Sequence, residues 1–217
     1  MTRESLNFEL ELWKDYKFIA GLDEAGRGAI AGPLVVSGVI LPPNFQNSLI
    51  QDSKKLSHTQ RKKAYSIIIE KALETKIVFK TVEDVENKNP LSATKEAMKE
   101  IILSFKNKPD ISLIDGKEKL EVNNFKTISM ISGDSKSINI AAASILSKVT
   151  RDELMITLSK KYPLYEWEKN KGYLNKSHIS ALLKHGVCNL HRKTYEPVKS
   201  LLKNGFDKSL IYTKYNI

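Results

Sequence analysis

The chain has 217 residues, enough for one large domain or a domain with an appendage, with a core that needs neither disulfides nor a structural metal. With 41% hydrophobic and 28% charged residues it is ordinary globular material, which excludes wholesale disorder, and its longest apolar runs fall far short of a bilayer span. An excess of 35 basic over 25 acidic residues gives a formal charge of +10, which suits a polyanionic partner, most simply nucleic acid.

The N-terminus, MTRESLNFELELWKD, is acidic, lacks a basic stretch followed by an apolar run, and does not read as a signal peptide; residues 1–17 are expected to be an N-terminal extension. The short apolar run FIAGL then ends in the pair Asp23-Glu24, followed by the glycine-bearing turn AGRGAIAGP. PLVVSGVIL is β-branched and stops at Pro42-Pro43, so it predicts a strand, close enough to the first run to pair with it around the turn. Ser57 is a candidate N-cap for a helix to about Glu74, with Ala64, Ile67, Ile68 and Leu73 at helical spacing. TKIVFKTV predicts a strand, and Pro90-Leu91-Ser92 opens a helix through Phe105 with Ala93, Ala97, Ile101 and Leu103 as its apolar stripe. DISLID is a short buried strand ending on Asp115, and FKTISMIS another ending shortly before Asp134. INIAAASILSKVTRDELMITLSKKY predicts a long helix whose small early residues allow a close neighbour. Alternating strands and helices predict an α/β architecture over residues 18–160. Residues 161–217 read as short lysine-rich helices and loops, a C-terminal extension of the same domain.

Three acidic sites, Asp23-Glu24, Asp115 and Asp134, thus fall at or just after strand ends, where ligand sites of α/β sheets gather. Carboxylates converging there repel unless a cation sits among them, and an oxygen-only donor set suits Mg²⁺ or Mn²⁺ rather than zinc. Such ions polarise a phosphodiester and activate water. Each acid also has a bland reading as a cap or turn residue, most easily Asp134 in SGDSKS and Asp115 before Gly116. GLDEAGRG approaches a phosphate-cradling loop but carries Arg27 and Gly28 where that motif has Lys and Ser or Thr, so a nucleotide-hydrolysing P-loop is rejected. A non-catalytic nucleic-acid binder explains the charge equally well, but has no reason to set acids beside its phosphate groove.

With these residues laid out, the sequence resembles type 2 ribonuclease H of bacteria, from about Phe18 to Thr194. The likeness rests on AGLDEAGRGAIAGPLVVSGVIL, DSKKLS, LIDG, GDSKSINIAAASILSKVTRD, and YPLYEWEKNKGY followed by HRKTY. It implies the ribonuclease H-like fold, with a mixed central sheet, flanking helices and a helical C-terminal extension. It also implies cleavage of RNA in RNA/DNA hybrids and at single ribonucleotides within duplex DNA, leaving 5′-phosphate and 3′-hydroxyl ends. On the matching positions, Asp23, Glu24, Asp115 and Asp134 bind Mg²⁺ or Mn²⁺. Gly26, Arg27 and Gly28 grip the ribonucleotide, and Tyr173 of K-G-Y packs against it. Lys54, Lys136 and Lys148 are phosphate contacts, unless they are simply solvated surface lysines. Asp152 in TRD is a structural helix residue.

His178, His185, Cys188 and His191 are potential zinc ligands whose spacing matches no usual pattern, so no zinc is expected. Cys188 is the only cysteine, which excludes an intramolecular disulfide and fits a reducing cytoplasm. The expectation is a cytoplasmic, monomeric enzyme with no membrane partner. Recruitment by a replication clamp is not legible, and the tail after Leu202 carries no interpretable motif.

Overall fold

In the computed structural model, which describes residues 3–203, the chain opens with helix α1 (Arg3–Asp15) and strands β1 (Ile19–Ala25) and β2 (Leu34–Ile40). Helix α2 (His58–Lys71), strand β3 (Glu74–Lys80) and helices α3 (Val82–Lys88) and α4 (Pro90–Ser104) follow. Strands β4 (Ile111–Asp115) and β5 (Thr127–Met130) lead into the long helix α5 (Ile138–Lys161). The chain then passes through α6 (Trp167–Asn170), α7 (Lys176–His185) and α8 (Val198–Lys203). From residue 204 the uninterpreted tail lies outside the described residues. Among the described residues no helix is long and apolar enough to cross a membrane.

The chain divides into two compact units, and the boundary falls inside α5, between Thr150 and Arg151. The first, residues 1–25, 35–79 and 94–150, contains the sheet, ordered β3-β2-β1-β4-β5. β1 pairs antiparallel with β2, with Ala25 opposite Val35, as the short glycine turn between them predicts. It pairs parallel with β4, and β4 parallel with β5, so the sheet is mixed. All seven residues of β2 are buried, which accounts for its continuous β-branched run. The small early residues of α5 have a visible purpose: a Cβ on Gly21 would lie 2.1 Å from the Asn139 carbonyl carbon, so helix backbone lies directly on β1. Ala141, Ala142 and Ala143 extend that contact into a core with Ile68, Val39 and Leu146.

Three sequence expectations shift here. The helix expected to about Glu74 stops at Lys71, where Ala72 turns extended, so Leu73 is 44% exposed and Glu74 opens β3 instead. Val82, assigned to the strand TKIVFKTV, is instead the first residue of α3. Thr81 and Asp84 form a capping box, and this reciprocal side-chain bonding starts the helix where alternation alone continues the strand. The stripe of α4 is Ala93, Ala97, Met98, Ile101 and Ile102, while Leu103 is 53% exposed.

The second unit comprises residues 26–34, 80–93 and 151–217. Its described core gathers Ile30, Met155, Tyr165, Trp167, Ile179, Leu182, Val198 and Leu201. Its described C-terminal residues carry the end of α5 and the short helices α6, α7 and α8.

Candidate active site

The acidic residues lie in the first unit. Asp23 and Glu24 belong to the last turns of β1's pairing rather than beyond its end, Asp115 closes β4, and Asp134 sits in a 3-10 turn, Gly133–Ser135, ahead of α5. Asp23 and Asp134 are buried, at 6% and 5% exposure. Asp23 accepts from the Glu24 amide at 2.7 Å and from the Ser144 hydroxyl, which in turn meets Ser53 Oγ at 3.0 Å. The Gly133 amide donates to Asp115 Oδ1 at 2.7 Å, fastening the end of β4 to the turn that carries Asp134. Lys54 Nζ stands 3.7 Å from Asp134 Oδ2.

Burial pushes the Asp23 carboxyl well above the usual range, and the charges of Glu24 and Asp115 push it further. Asp134 is raised by burial and then by Asp115 and Asp52, against the pull of Lys54. These carboxyls therefore feel one another, and Asp52, which also caps the turn at Ser53–Lys55, is a fifth acid at the site. Sequence reasoning quoted Asp52 within DSKKLS but assigned it nothing. A partly buried, oxygen-only set whose members repel one another is what a divalent cation neutralises, so the donors fit Mg²⁺ or Mn²⁺. Among the described residues no three acidic, histidine or cysteine groups form a ready-made cage. Mg²⁺ needs none, because it keeps several waters and takes one or two carboxylates plus substrate phosphate.

Of the three predicted phosphate lysines, Lys54 faces the acids, and burial alone would lower its pKa, but Asp134, Asp52, Asp23 and Asp115 raise it overall. Lys136 is exposed beside the Asp134 turn, and Lys148 is half-buried on α5. Asp152 is a buried residue of α5.

The predicted ribonucleotide-gripping residues lie in the second unit. Gly26 has φ +95° and its carbonyl accepts from Ala29, closing a tight turn that leaves Arg27 and Gly28 exposed. The K-G-Y segment is bonded to the same stretch: the Ile30 and Ala31 amides donate to Gly172 O at 3.0 and 3.1 Å. Two buried arginines that sequence reasoning left unassigned hold this assembly. Arg151 donates to the carbonyls of Pro33, Ala31 and Lys171 at 3.0, 3.0 and 2.8 Å, and its guanidinium lies 5.0 Å from the centre of the Tyr173 ring. A Cβ on Gly26 would come within 2.0 Å of Arg151 Nε, so only glycine fits that face of the turn. Burial lowers the Arg151 pKa to about 10, which leaves it charged at neutral pH. Arg192, of the HRKTY segment, donates to Gly32 O and, at 3.0 Å, to Arg27 O; Tyr195 Oη donates to the same Arg27 carbonyl at 2.8 Å.

The histidines form a separate network in this unit. Trp167 Nε1 donates to His178 Nε2 at 3.2 Å, so that nitrogen is an acceptor and His178 Nδ1 donates to Tyr173 O at 3.0 Å. The Cys188 amide donates to His191 Nδ1 at 3.0 Å, which leaves His191 Nε2 to donate to His178 Nε2 at 3.1 Å. Each lone pair is thus used within the protein, and His178 fixes the backbone carbonyl of Tyr173. Burial lowers both pKa values, and His178 beside it drives that of His191 to about 3. The unfolded chain therefore binds protons below about pH 6.5 that the folded chain refuses. The stability held above that pH is lost as pH falls toward 3, by about 1.4 kcal/mol per unit for one such group. Melting temperature is expected to drop by roughly 4–8 °C between pH 7 and pH 5 from this source. His191→Gln can make the same donor and acceptor contacts without titrating, so it should flatten the slope in pH-resolved melts. An unchanged slope would assign the acid sensitivity elsewhere.

A mixed five-stranded sheet carrying carboxylates on its two central strands has clear counterparts among solved structures. The ribonuclease H2 from Pyrococcus horikoshii OT3 superposes with a TM-score of 0.73 at 24% identity, covering 88% of this chain and 99% of that one. Bst-RNase HIII in complex with Mn²⁺ superposes at 0.66 with 17% identity, over 86% of this chain and 69% of that one. The fold is the ribonuclease H-like fold. The family model for Ribonuclease HII matches residues 20–198. The Ribonuclease HII of Mycoplasma mycoides subsp. mycoides SC is 41% identical over 203 residues, 94% of this chain and 98% of its own length. The chain belongs to the ribonuclease HII family, and its activity is that of a type 2 ribonuclease H, an endoribonuclease.

Proposed function

We propose that this enzyme cleaves the RNA strand of RNA/DNA hybrids and also cuts duplex DNA at a single embedded ribonucleotide, leaving 5′-phosphate and 3′-hydroxyl ends. The observation that carries the metal-assisted part of this reading is the oxygen-only set of Asp23, Glu24, Asp115 and Asp134, in which Asp23 and Asp134 are buried and Asp115 raises the carboxyls of both. These four would hold the divalent ions, which when bound polarise the scissile phosphodiester and lower the pKa of attacking water. Lys54, 3.7 Å from Asp134, is placed to meet a phosphate drawn to that set, and Lys136 and Lys148 extend the basic surface.

Recognition is assigned to the turn and the tyrosine. Arg27 and Gly28 are exposed; the Arg27 carbonyl is held by Arg192 and Tyr195, and it is Gly28, with open space where a Cβ would stand, whose backbone a ligand can approach, a ribose 2′-OH being able both to donate to and to accept from such groups. Only two residues, Glu24 and Ala25, separate Asp23 from Gly26 in the chain. Tyr173, half-buried and held against Arg151, offers a flat face to the same nucleotide.

The deciding experiment uses a DNA duplex with one ribonucleotide, with and without Mg²⁺ or Mn²⁺, and maps the ends. Metal-dependent incision at the ribonucleotide is expected, and no cut on that duplex alongside active cleavage of a long hybrid would overturn the single-ribonucleotide reading. In the same assay Tyr173→Ala is expected to slow single-turnover cleavage by about tenfold or more, the effect of a misplaced substrate. Duplex affinity, measured by anisotropy, should change much less because phosphate contacts dominate it. Unchanged cleavage would make the tyrosine a surface residue only.

A further inference from the structure

Helix α1 precedes the region matched by the family model, which begins at residue 20, yet it contributes one of the most enclosed charges in the first unit. Glu9 is fully buried. Its carboxylate accepts from Ser137 Oγ at 2.6 Å, the Ile138 amide at 2.8 Å, and the Asn139 amide and side chain at 3.2 and 3.0 Å. The Ile138 and Asn139 amides are the first backbone donors of α5, which a helix leaves unpaired at its positive end. Burying a carboxylate is costly unless it is well bonded, and these donors satisfy it.

The same atoms lead to the acidic site. Ser137 Oγ, while donating to Glu9, accepts from the Ile140 amide at 3.0 Å. The Ser137 and Lys136 amides donate to Gly133 O at 2.8 and 2.9 Å, and the Gly133 amide donates to Asp115 Oδ1. Asp134 lies within that bonded turn. Asn139, also held by Glu9, accepts from the Leu41 amide at 2.8 Å and lies against β1 at Gly21, two residues before Asp23. A hydrogen-bonded path therefore runs from the N-terminal helix to the Asp115 carboxylate through the segment that carries Asp134.

From this path we infer that Glu9 is a positioning residue: it fixes the start of α5, and through Ser137 and Gly133 it sets the placement of Asp134 and Asp115 for metal. The inference rests on the reading of those acids as metal ligands. Groups that orient ligating carboxylates from behind commonly change metal affinity by about tenfold or more when altered. Glu9→Gln keeps the shape but replaces an acceptor oxygen by a donor amide facing N–H groups, so the start of α5 loses its fixed geometry.

The test uses the full chain, at a temperature well below each variant's melting point. Mn²⁺ affinity is measured by calorimetry without substrate, and single-turnover cleavage is followed against Mn²⁺ concentration. Glu9→Gln is expected to weaken Mn²⁺ binding about tenfold and to move half-maximal cleavage to correspondingly higher Mn²⁺, with most of the rate recovered at saturation. Phe8→Ala is the packing control, because Phe8 packs from the same helix against the cluster of Ile19, Ile111, Leu113 and Ile140 and its side chain has no polar group to join the path. It should lower the melting temperature and leave Mn²⁺ affinity unchanged. Should Glu9→Gln not fold, Ser137→Ala cuts the same path one bond later and should show the same direction of shift. A lowered melting point with unaltered Mn²⁺ affinity in the path variant that folds would overturn the inference, leaving Glu9 a structural cap. Asp134→Asn separates the two levels: if it weakens Mn²⁺ and the path variant does not, this inference alone fails. If Asp134→Asn leaves Mn²⁺ affinity unchanged, the metal reading fails and takes the inference with it.

Discussion

Replacing Asp23 by asparagine is expected to reduce cleavage by about 10³-fold or more, equivalent to about 4 kcal/mol of transition-state stabilisation, while the fold survives. Asp23 is buried on the central strand, and burial, Glu24 and Asp115 all disfavour its charge. Asparagine keeps the shape and an acceptor for the Glu24 amide and the Ser144 hydroxyl, so the local bonding persists. It removes a charge that the metal-free protein bears at a cost. A carboxyl raised in the fold stabilises below its unfolded pKa and loses that contribution as pH rises through the folded value. At neutral pH in chelator the variant should therefore melt at or above the parent temperature. Turnover collapses for the opposite reason, since the charge that repels its neighbours is the one that would hold the cation. Asp115→Asn should behave alike in activity. Turnover near the parent rate at saturating Mg²⁺ would sink the metal assignment, and a lowered melting point in chelator would sink the argument from repulsion.

What could be read in advance was local. The β-branched run of β2, the charged pair inside the apolar β1 and the Ser57 cap of α2 are short-range signals, and each predicted its element. The acids were legible because charge in an apolar strand is costly and demands a reason. Helix α1 was passed over as an acidic extension, although Phe8, Leu12, Trp13 and Tyr16 carry the helical spacing by which it packs on the core. Glu9 looked like one more acid of that extension, because its donors lie about 130 residues away in sequence. The buried arginines were hidden for the same reason. In composition Arg151 and Arg192 add to a basic excess and suggest phosphate contacts, yet both are fully buried and donate to the carbonyls of Arg27, Ala31, Gly32, Pro33 and Lys171. Charge counts cannot separate a solvated arginine from one that replaces missing secondary structure in a loop. Asp134 was ambiguous between turn residue and ligand, and the structure places it in a turn that is itself bonded to Asp115.

Arg151→Met is expected to cost about 4 kcal/mol of stability, a fall in melting temperature of roughly 10 °C, and to slow cleavage at a single ribonucleotide at least as much as Tyr173→Ala does. Methionine fills much of the volume but withdraws the donors from the carbonyls of Ala31, Pro33 and Lys171. It also removes the cation from the Tyr173 ring and the planar group against which Gly26 is packed. The turn and the tyrosine both rest on Arg151 within their unit, so both lose part of their placement together. Arg151→Lys isolates the geometry from the charge: an ammonium keeps the charge but cannot reach three divergent carbonyls or lie flat on a ring, and it should recover little of the rate. The coupling is measured by a double-mutant cycle with Tyr173→Ala, using single-turnover cleavage below the melting point of each variant. On the proposed reading both substitutions act on the same nucleotide placement, so the second should add little to the first. Fully additive losses would mean that Arg151 supports the fold without directing the tyrosine, and full activity in Arg151→Lys would mean that its charge alone matters.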